Sequence, residues 1–239
     1  DAQLAKLGLI DSKSYTCTCY MDEVGNTPKK GDVLSWAESS AVVYANSVLG
    51  ARCNRNSGII ELFGSIVGRV PYFGLVTDEG RKATWIVEVK TTKKPEAQIL
   101  GSAIGMKVME DVPYVKGLDK WIGTELDGDA KAYLKDFDGH GHAGAFEGHA
   151  DIVEIEAVEQ GESLIAEGAK VYVIDDAELD RVKNNYPVMW KDKNATPKLC
   201  FVGCPHLSYD QLVEWTENVC ESLKKNGRSK VSIPTVFTA

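Results

Sequence analysis

Two rhythms divide the hydrophobic positions of this chain. At helical spacing, Leu4 and Leu7 open a short Leu-rich helix that breaks at Gly8. Leu34, Trp36, Ala37, Ala41, Tyr44, Ala45, Val48 and Leu49 make one face of a longer helix, with Asp32 as its N-cap and Gly50 as its left-handed stop. A third helix opens at Ser57 or Gly58, runs through Ile59, Leu62, Phe63, Ile66 and Val67, and stops at Gly68. Pro95 at a first helical position predicts a further helix toward Val108 despite two internal glycines. At strand spacing, Tyr15–Tyr20 alternates, and Thr84–Val89 is rich in β-branched and aromatic residues. Pro28-Lys-Lys-Gly31 reads as the turn into the long helix, and 70–74 as a loop.

The pattern lapses over 136–150, a Gly- and His-rich stretch expected to be irregular. It contains a formal G-x-G-x-x-G from Gly139 to Gly144, but the strand before it and helix after it that a dinucleotide site needs are not evident. His140, His142 and His149 read as solvated loop residues. From 151 the rhythm returns: strand 151–156, helix 159–167 and strand 170–174. Asp175 with Glu178 opens a helix to about Tyr186, followed by strand 199–202. Ser208 with Gln211 opens an amphipathic helix carrying Leu212, Val213, Trp215, Val219 and Leu223, and 231–237 is a last strand. Strands alternating with helices predict an α/β fold with a parallel-rich sheet. We divide the chain into 1–150, with the long helix, and 151–239, a Rossmann-like α/β unit. The chain starts at Asp1 and stops just past a strand, as expected of a fragment of a longer polypeptide.

Composition narrows the function classes. With 239 residues, 44% hydrophobic and 26% charged, the chain has the make-up of a soluble domain with a real core. A net charge of −8 argues against a nucleic-acid partner, and no apolar run is long enough to span a membrane. Six cysteines without a secretory signal suit a reducing, cytoplasmic setting, with the sulfurs as thiols or metal ligands.

Two clusters carry candidate chemistry. Arg52, Asn54, Arg55 and Asn56 follow directly on the helix stop, and Glu38, Ser39, Asn46 and Ser47 make the helix itself unusually polar. Guanidinium and amide donors at a buried helix end suit a carboxylate or phosphate; the plain alternative is a solvated helix end. Cys204 lies where a strand ends and before a helix begins, the edge of an α/β sheet at which ligands bind. Cys17 and Cys19 lie two apart on a stretch read as extended. No C-x-x-C knuckle pairs them, and small buried thiols remain the alternative.

The run Trp36-Ala-Glu-Ser-Ser-Ala-Val-Val-Tyr-Ala-Asn-Ser-Val-Leu-Gly-Ala-Arg-Cys-Asn-Arg55 resembles the signature of the aconitase X large subunit. Tyr15-Thr-Cys-Thr-Cys-Tyr20, Gly25-Asn-Thr-Pro28 and Gly203-Cys-Pro-His-Leu-Ser208 resemble the same family in the same order. Two departures stand out: Cys53 replaces an expected threonine, and Ser57-Gly-Ile-Ile-Glu-Leu replaces a more Gly/Pro-rich turn. The resemblance implies an aconitase-like three-layer α/β fold and a hydro-lyase that removes water from a small hydroxy acid. It implies an iron–sulfur cluster as Lewis acid, with Cys17 and Cys204 matching cluster-ligand positions and the third ligand beyond Ala239. Arg52, Asn46, Asn54 and Arg55, with Ser47 and Ser39 in support, are then expected to hold the substrate's anionic group. A small swivelling subunit or fused domain is the implied partner. The substrate is either cis-3-hydroxy-L-proline or a phosphorylated mevalonate, and a net negative chain without a phosphate loop favours the first. Two rivals stand beside this reading: a zinc-stabilised binding module using Cys17, Cys19, Cys204 and His206, and an inert isolated domain.

Overall fold

The computed structural model describes residues 2–8, 17–123, 128–143, 164–186, 191–192, 194–203 and 206–239. Its helices are α1 (Ala2–Lys6), α2 (Ser39–Ser47), α3 (Gly58–Val67), α4 (Ala97–Val108), α5 (Asp119–Ile122), α6 (Gly128–Ala143), α7 (Asp176–Asn184) and α8 (Tyr209–Lys225). Its strands are β1 (Val33–Leu34), β2 (Arg52–Cys53), β3 (Ala83–Val89), β4 (Pro113–Lys116), β5 (Ile165–Ile174), β6 (Cys200–Val202) and β7 (Thr235–Phe237). Among the described residues every strand pair is parallel: β1 with β2, β4-β3-β5 in that order, and β6 with β7. This is the expected α/β class, and the three-stranded sheet takes strands from both sides of residue 150.

Alternation along the sheet decides where the core lies. Val87 and Val89 of β3 and Tyr172 and Ile174 of β5 turn to one face. There they meet Leu100, Ala103, Ile104 and Val108 of α4, Leu134 and Phe137 of α6, and Val182 of α7. Val171 and Val173 point the other way and stay exposed. Tyr20, Ala41, Tyr44 and Val48 join the same core, which seats α2 against it, and Tyr20 stacks on Tyr44 at 4.2 Å between ring centroids.

Several sequence expectations change. Asp32 does not cap α2: its carboxylate closes the preceding turn by accepting the Lys29 N–H at 2.8 Å, and 33–34 pair as β1. Glu38 is the N-cap instead, accepting the Ala41 N–H at 2.8 Å. Residues 17–20 form a turn rather than a strand. The helix after Pro95 begins only at Ala97. Residues 136–143 are helical, the last two turns of α6, because Leu134 and Phe137 bury there and outweigh the glycine penalty. Residues 165–167 belong to β5, not to a helix. Strand 151–156, the first part of helix 159–167, Gly144 and His149 lie outside the described residues. The predicted α3, β3, α7, β6 and α8 appear in place, and Ser208 with Gln211 forms both bonds of the capping box. In α3 the apolar residues Ile59, Phe63, Ile66 and Val67 are exposed.

Candidate functional site

The polar cluster is built around the end of α2. Gly50, at φ 67°, turns the chain back so that Arg52–Cys53 pairs with Val33–Leu34. Asn46, fully buried, holds this turn from inside. Its amide donates to the carbonyls of Val42 and Cys53, both at 2.9 Å, and its oxygen accepts the Cys53 N–H at 3.1 Å. Arg81 donates to that same oxygen at 2.9 Å and to the Asn46 and Ala51 carbonyls at 3.0 and 3.2 Å. Arg52 donates to the Val76 carbonyl at 2.8 Å and pairs with Asp78. Asn54 is buried and donates to the Pro71 carbonyl at 3.4 Å. Arg55 and Asn56 are half-buried, and the Asn56 amide donates to Glu61. Ser47 donates back to the Val43 carbonyl within its helix. Cys53 is buried, and its thiol lies 3.5 Å from the carbonyls of both Trp36 and Asn54.

The other end of α2 carries Ser39. The Glu38 carboxylate takes the hydroxyls of Ser39 at 3.2 Å and Ser40 at 2.7 Å besides the Ala41 N–H. Its negative charge also reaches Cys19, whose thiol is pushed up to about 11, by burial first and the Glu38 charge second. Cys19 is therefore a protonated thiol at neutral pH.

Cys17 is in a different situation. It is half-buried, and its sulfur accepts the His206 N–H at 3.4 Å across 189 positions of sequence. Cys204 itself lies outside the described residues; His206, two positions after it in sequence, is the residue that meets Cys17. Lys135 of α6, almost fully buried, locks this junction: its ammonium donates to the His206 carbonyl at 2.8 Å and to the Gln211 side chain in the first turn of α8. A sulfur that accepts a backbone N–H in a turn beside a helix N-terminus suits a cluster or metal thiolate. Among the described residues no set of three or more Cys, His, Asp or Glu gathers into a metal site. His140 and His142 fall within α6 rather than in a loop.

A cavity of about 510 Å³ opens beside the junction, between the 20–27 turn, α2, α6 and the start of α8; Tyr20, Tyr44, Lys135, Asp129, Asp210 and Glu214 line it. Arg52, Asn54 and Arg55 do not. Sequence reasoning missed Glu38 as a cap, and Arg81, Asp78 and Lys135 altogether. Only the apolar neighbours of Lys135 gave a signal, because a helical phase through Leu134 and Phe137 puts position 135 near the core.

Residues 3–79 match the profile described as aconitase X first domain. The chain is 36% identical over 227 residues to the phosphomevalonate dehydratase large subunit of Thermococcus kodakarensis, covering 94% of this chain and 53% of that protein. The corresponding subunit of Methanocaldococcus jannaschii is 34% identical, covering 85% and 49%. The cis-3-hydroxy-L-proline dehydratase of Hypocrea jecorina is 29% identical, covering 92% and 36%. The crystal structure of Thermococcus kodakaraensis aconitase X in its holo-form superposes with a TM-score of 0.68 at 32% identity, over 92% of this chain and 52% of that one. The chain spans about half the length of the curated relatives it matches.

Proposed function

The chain belongs to the aconitase X family, and from that premise we propose that it supplies the anion-holding loop and two cluster ligands of a hydro-lyase that removes water from a small hydroxy acid. The observation that supports this reading is the junction of Cys17 with His206, a residue two positions after Cys204, although the two lie far apart in sequence. Cys17 and Cys204 would hold an iron–sulfur cluster, which supplies a Lewis acid for the departing hydroxyl. The remaining work falls to this chain's own groups. Arg52 and Arg55 hold the substrate's anionic end, Arg52 through the planar fork that matches a carboxylate or phosphate. Asn46 and Ser47 set the backbone that presents them and Asn54 braces it against Pro71, whereas Ser39, at the opposite end of α2 with its hydroxyl given to the capping Glu38 carboxylate, stands apart from this group.

For the substrate we favour phosphomevalonate. The relatives above 30% identity over more than 200 residues carry that name, whereas those named for hydroxyproline match at 29% or over 117 residues only, and the net charge that favoured hydroxyproline does not set the field around a loop that carries Arg52 and Arg55 and is held by Arg81. A small subunit would complete the enzyme, as the relatives are named large subunits. We place it in the cytoplasm, where free thiols persist; among the described residues no helix is long and apolar enough to cross a membrane. The test is water loss by the complete protein with its small subunit, followed on phosphomevalonate and on cis-3-hydroxy-L-proline. Turnover of the first is expected. Turnover of the second alone overturns the substrate assignment, and turnover of neither overturns the function.

A further inference from the structure

We infer that Arg81 is the positioning residue of the loop that follows α2, acting through Asn46 rather than on any ligand. Arg81 lies in a 3-10 turn, Glu79–Arg81, outside α2 and the loop. One guanidinium nitrogen donates to the Asn46 side-chain oxygen and to the Ala51 carbonyl, and the other to the Asn46 carbonyl. These are acceptors on both sides of Gly50, so a single planar cation staples the end of the helix to the start of β2. The same Asn46 side chain grips the N–H and the C=O of Cys53, one residue past Arg52. The chain of contact runs Arg81 to Asn46 to Cys53, and it sets the direction in which Arg52 leaves the backbone.

The segment carrying Arg81 is built to stay put. Thr77 donates to the Gly74 carbonyl at 2.7 Å and accepts the Gly80 N–H at 3.1 Å. Gly80 packs so closely that an added Cβ would stand 2.0 Å from the Gly74 carbonyl oxygen. Val76 and Asp78 of the same segment hold the Arg52 guanidinium. One compact buckle therefore fixes both the backbone and the side chain of the loop. Lysine at 81 would keep the charge but not the fork that serves three acceptors at once.

The kinetic arm of the test rests on the anion-holding reading of the loop; the exchange arm does not. In the complete protein, Arg81→Met and Arg81→Lys are compared with the parent by residue-resolved amide exchange, with kcat/KM on phosphomevalonate measured alongside. Exchange at the Cys53 amide should quicken at least about tenfold in Arg81→Met while Val87 in β3 keeps its protection, and kcat/KM should fall at least about tenfold, with Arg81→Lys only partly restoring both. Unchanged protection at Cys53 overturns the inference, as does an equal loss at Val87, which would make Arg81 a general fold residue. Faster exchange at Cys53 with unchanged kinetics upholds the positioning role and refutes the loop as substrate holder. If Arg81→Met fails to fold, Arg81→Lys alone decides through the same comparison of Cys53 with Val87.

Discussion

Replacing Arg52 by lysine separates an anchor from a brace, because the structure bounds what the brace is worth. The Arg52 and Asp78 side chains are 30% and 89% exposed. A pair this open to solvent contributes about 0–1 kcal/mol. The hydrogen bond to the Val76 carbonyl adds about 0.5–1.5 kcal/mol, and lysine keeps part of the Coulomb attraction. The structural loss is then about 1–2 kcal/mol, a fall in Tm of roughly 2–8 °C for a chain of this size. If Arg52 holds the substrate anion in the closed enzyme, losing the bidentate pair removes about 2–5 kcal/mol more from the transition state. That is a fall in kcat/KM of roughly 30-fold to several thousand-fold. Thermal denaturation and steady-state kinetics of Arg52→Lys in the complete enzyme give both quantities. Asp78→Asn is the control: it removes only the exposed carboxylate and should shift Tm by less than about 2 °C. A Tm loss in that range with kcat/KM within about threefold of the parent refutes the anchor role and leaves Arg52 a brace for the 74–81 segment.

Three further outcomes are expected. Cys19, with its thiol raised to about 11 from 9.0, should alkylate far more slowly at pH 8 than exposed Cys220; because the folded state keeps the proton longer, its stabilising contribution is present below pH 9.0 and lost as pH rises toward 11, and titration near 9 would contradict this. Glu178, bonded by Arg181 and Tyr172 and held down to about 2 from 4.5, contributes stability at neutral pH that fades as pH falls from 4.5 toward 2; Glu178→Gln should flatten that acid limb in a pH series of urea unfolding, and an unchanged limb would count against it. Gly80→Ala should destabilise by about 2 kcal/mol or more, since the new methyl group meets backbone atoms of Gly74 rather than a flexible side chain, and a Tm equal to the parent's would show that the buckle gives way easily.

The elements that sequence disclosed are those whose signal is local. The Gly68 stop of α3, the Asp175 cap of α7 and the Ser208 capping box need only a few neighbouring residues, and each stands where expected. The start of α2 was misread because Asp32 is bound into a turn and Val33–Leu34 pairs with residues about twenty positions away, a parallel contact too short to leave a period. Residues 165–167 read as the end of a helix because β5 lies at the edge of the sheet among the described residues, and its glutamate and glycine hide the alternation. Both arginine contacts that shape the loop span more than twenty residues of sequence, Arg52 to Asp78 and Arg81 to Asn46, and no motif announces them. The cysteines show the same limit. Spacing did not bring Cys17 to His206, which lies 189 positions away; packing that runs through Lys135 does.

The central claim is that Cys17 and Cys204 are ligands of one iron–sulfur cluster. Anaerobic reconstitution of the complete protein with iron and sulfide, followed by its visible spectrum, tests it most directly when Cys17→Ala and Cys204→Ala are treated alongside. The account predicts a charge-transfer band in the parent and its loss in both variants. Variants that reconstitute as fully as the parent, or a colourless parent that binds zinc instead, would contradict it.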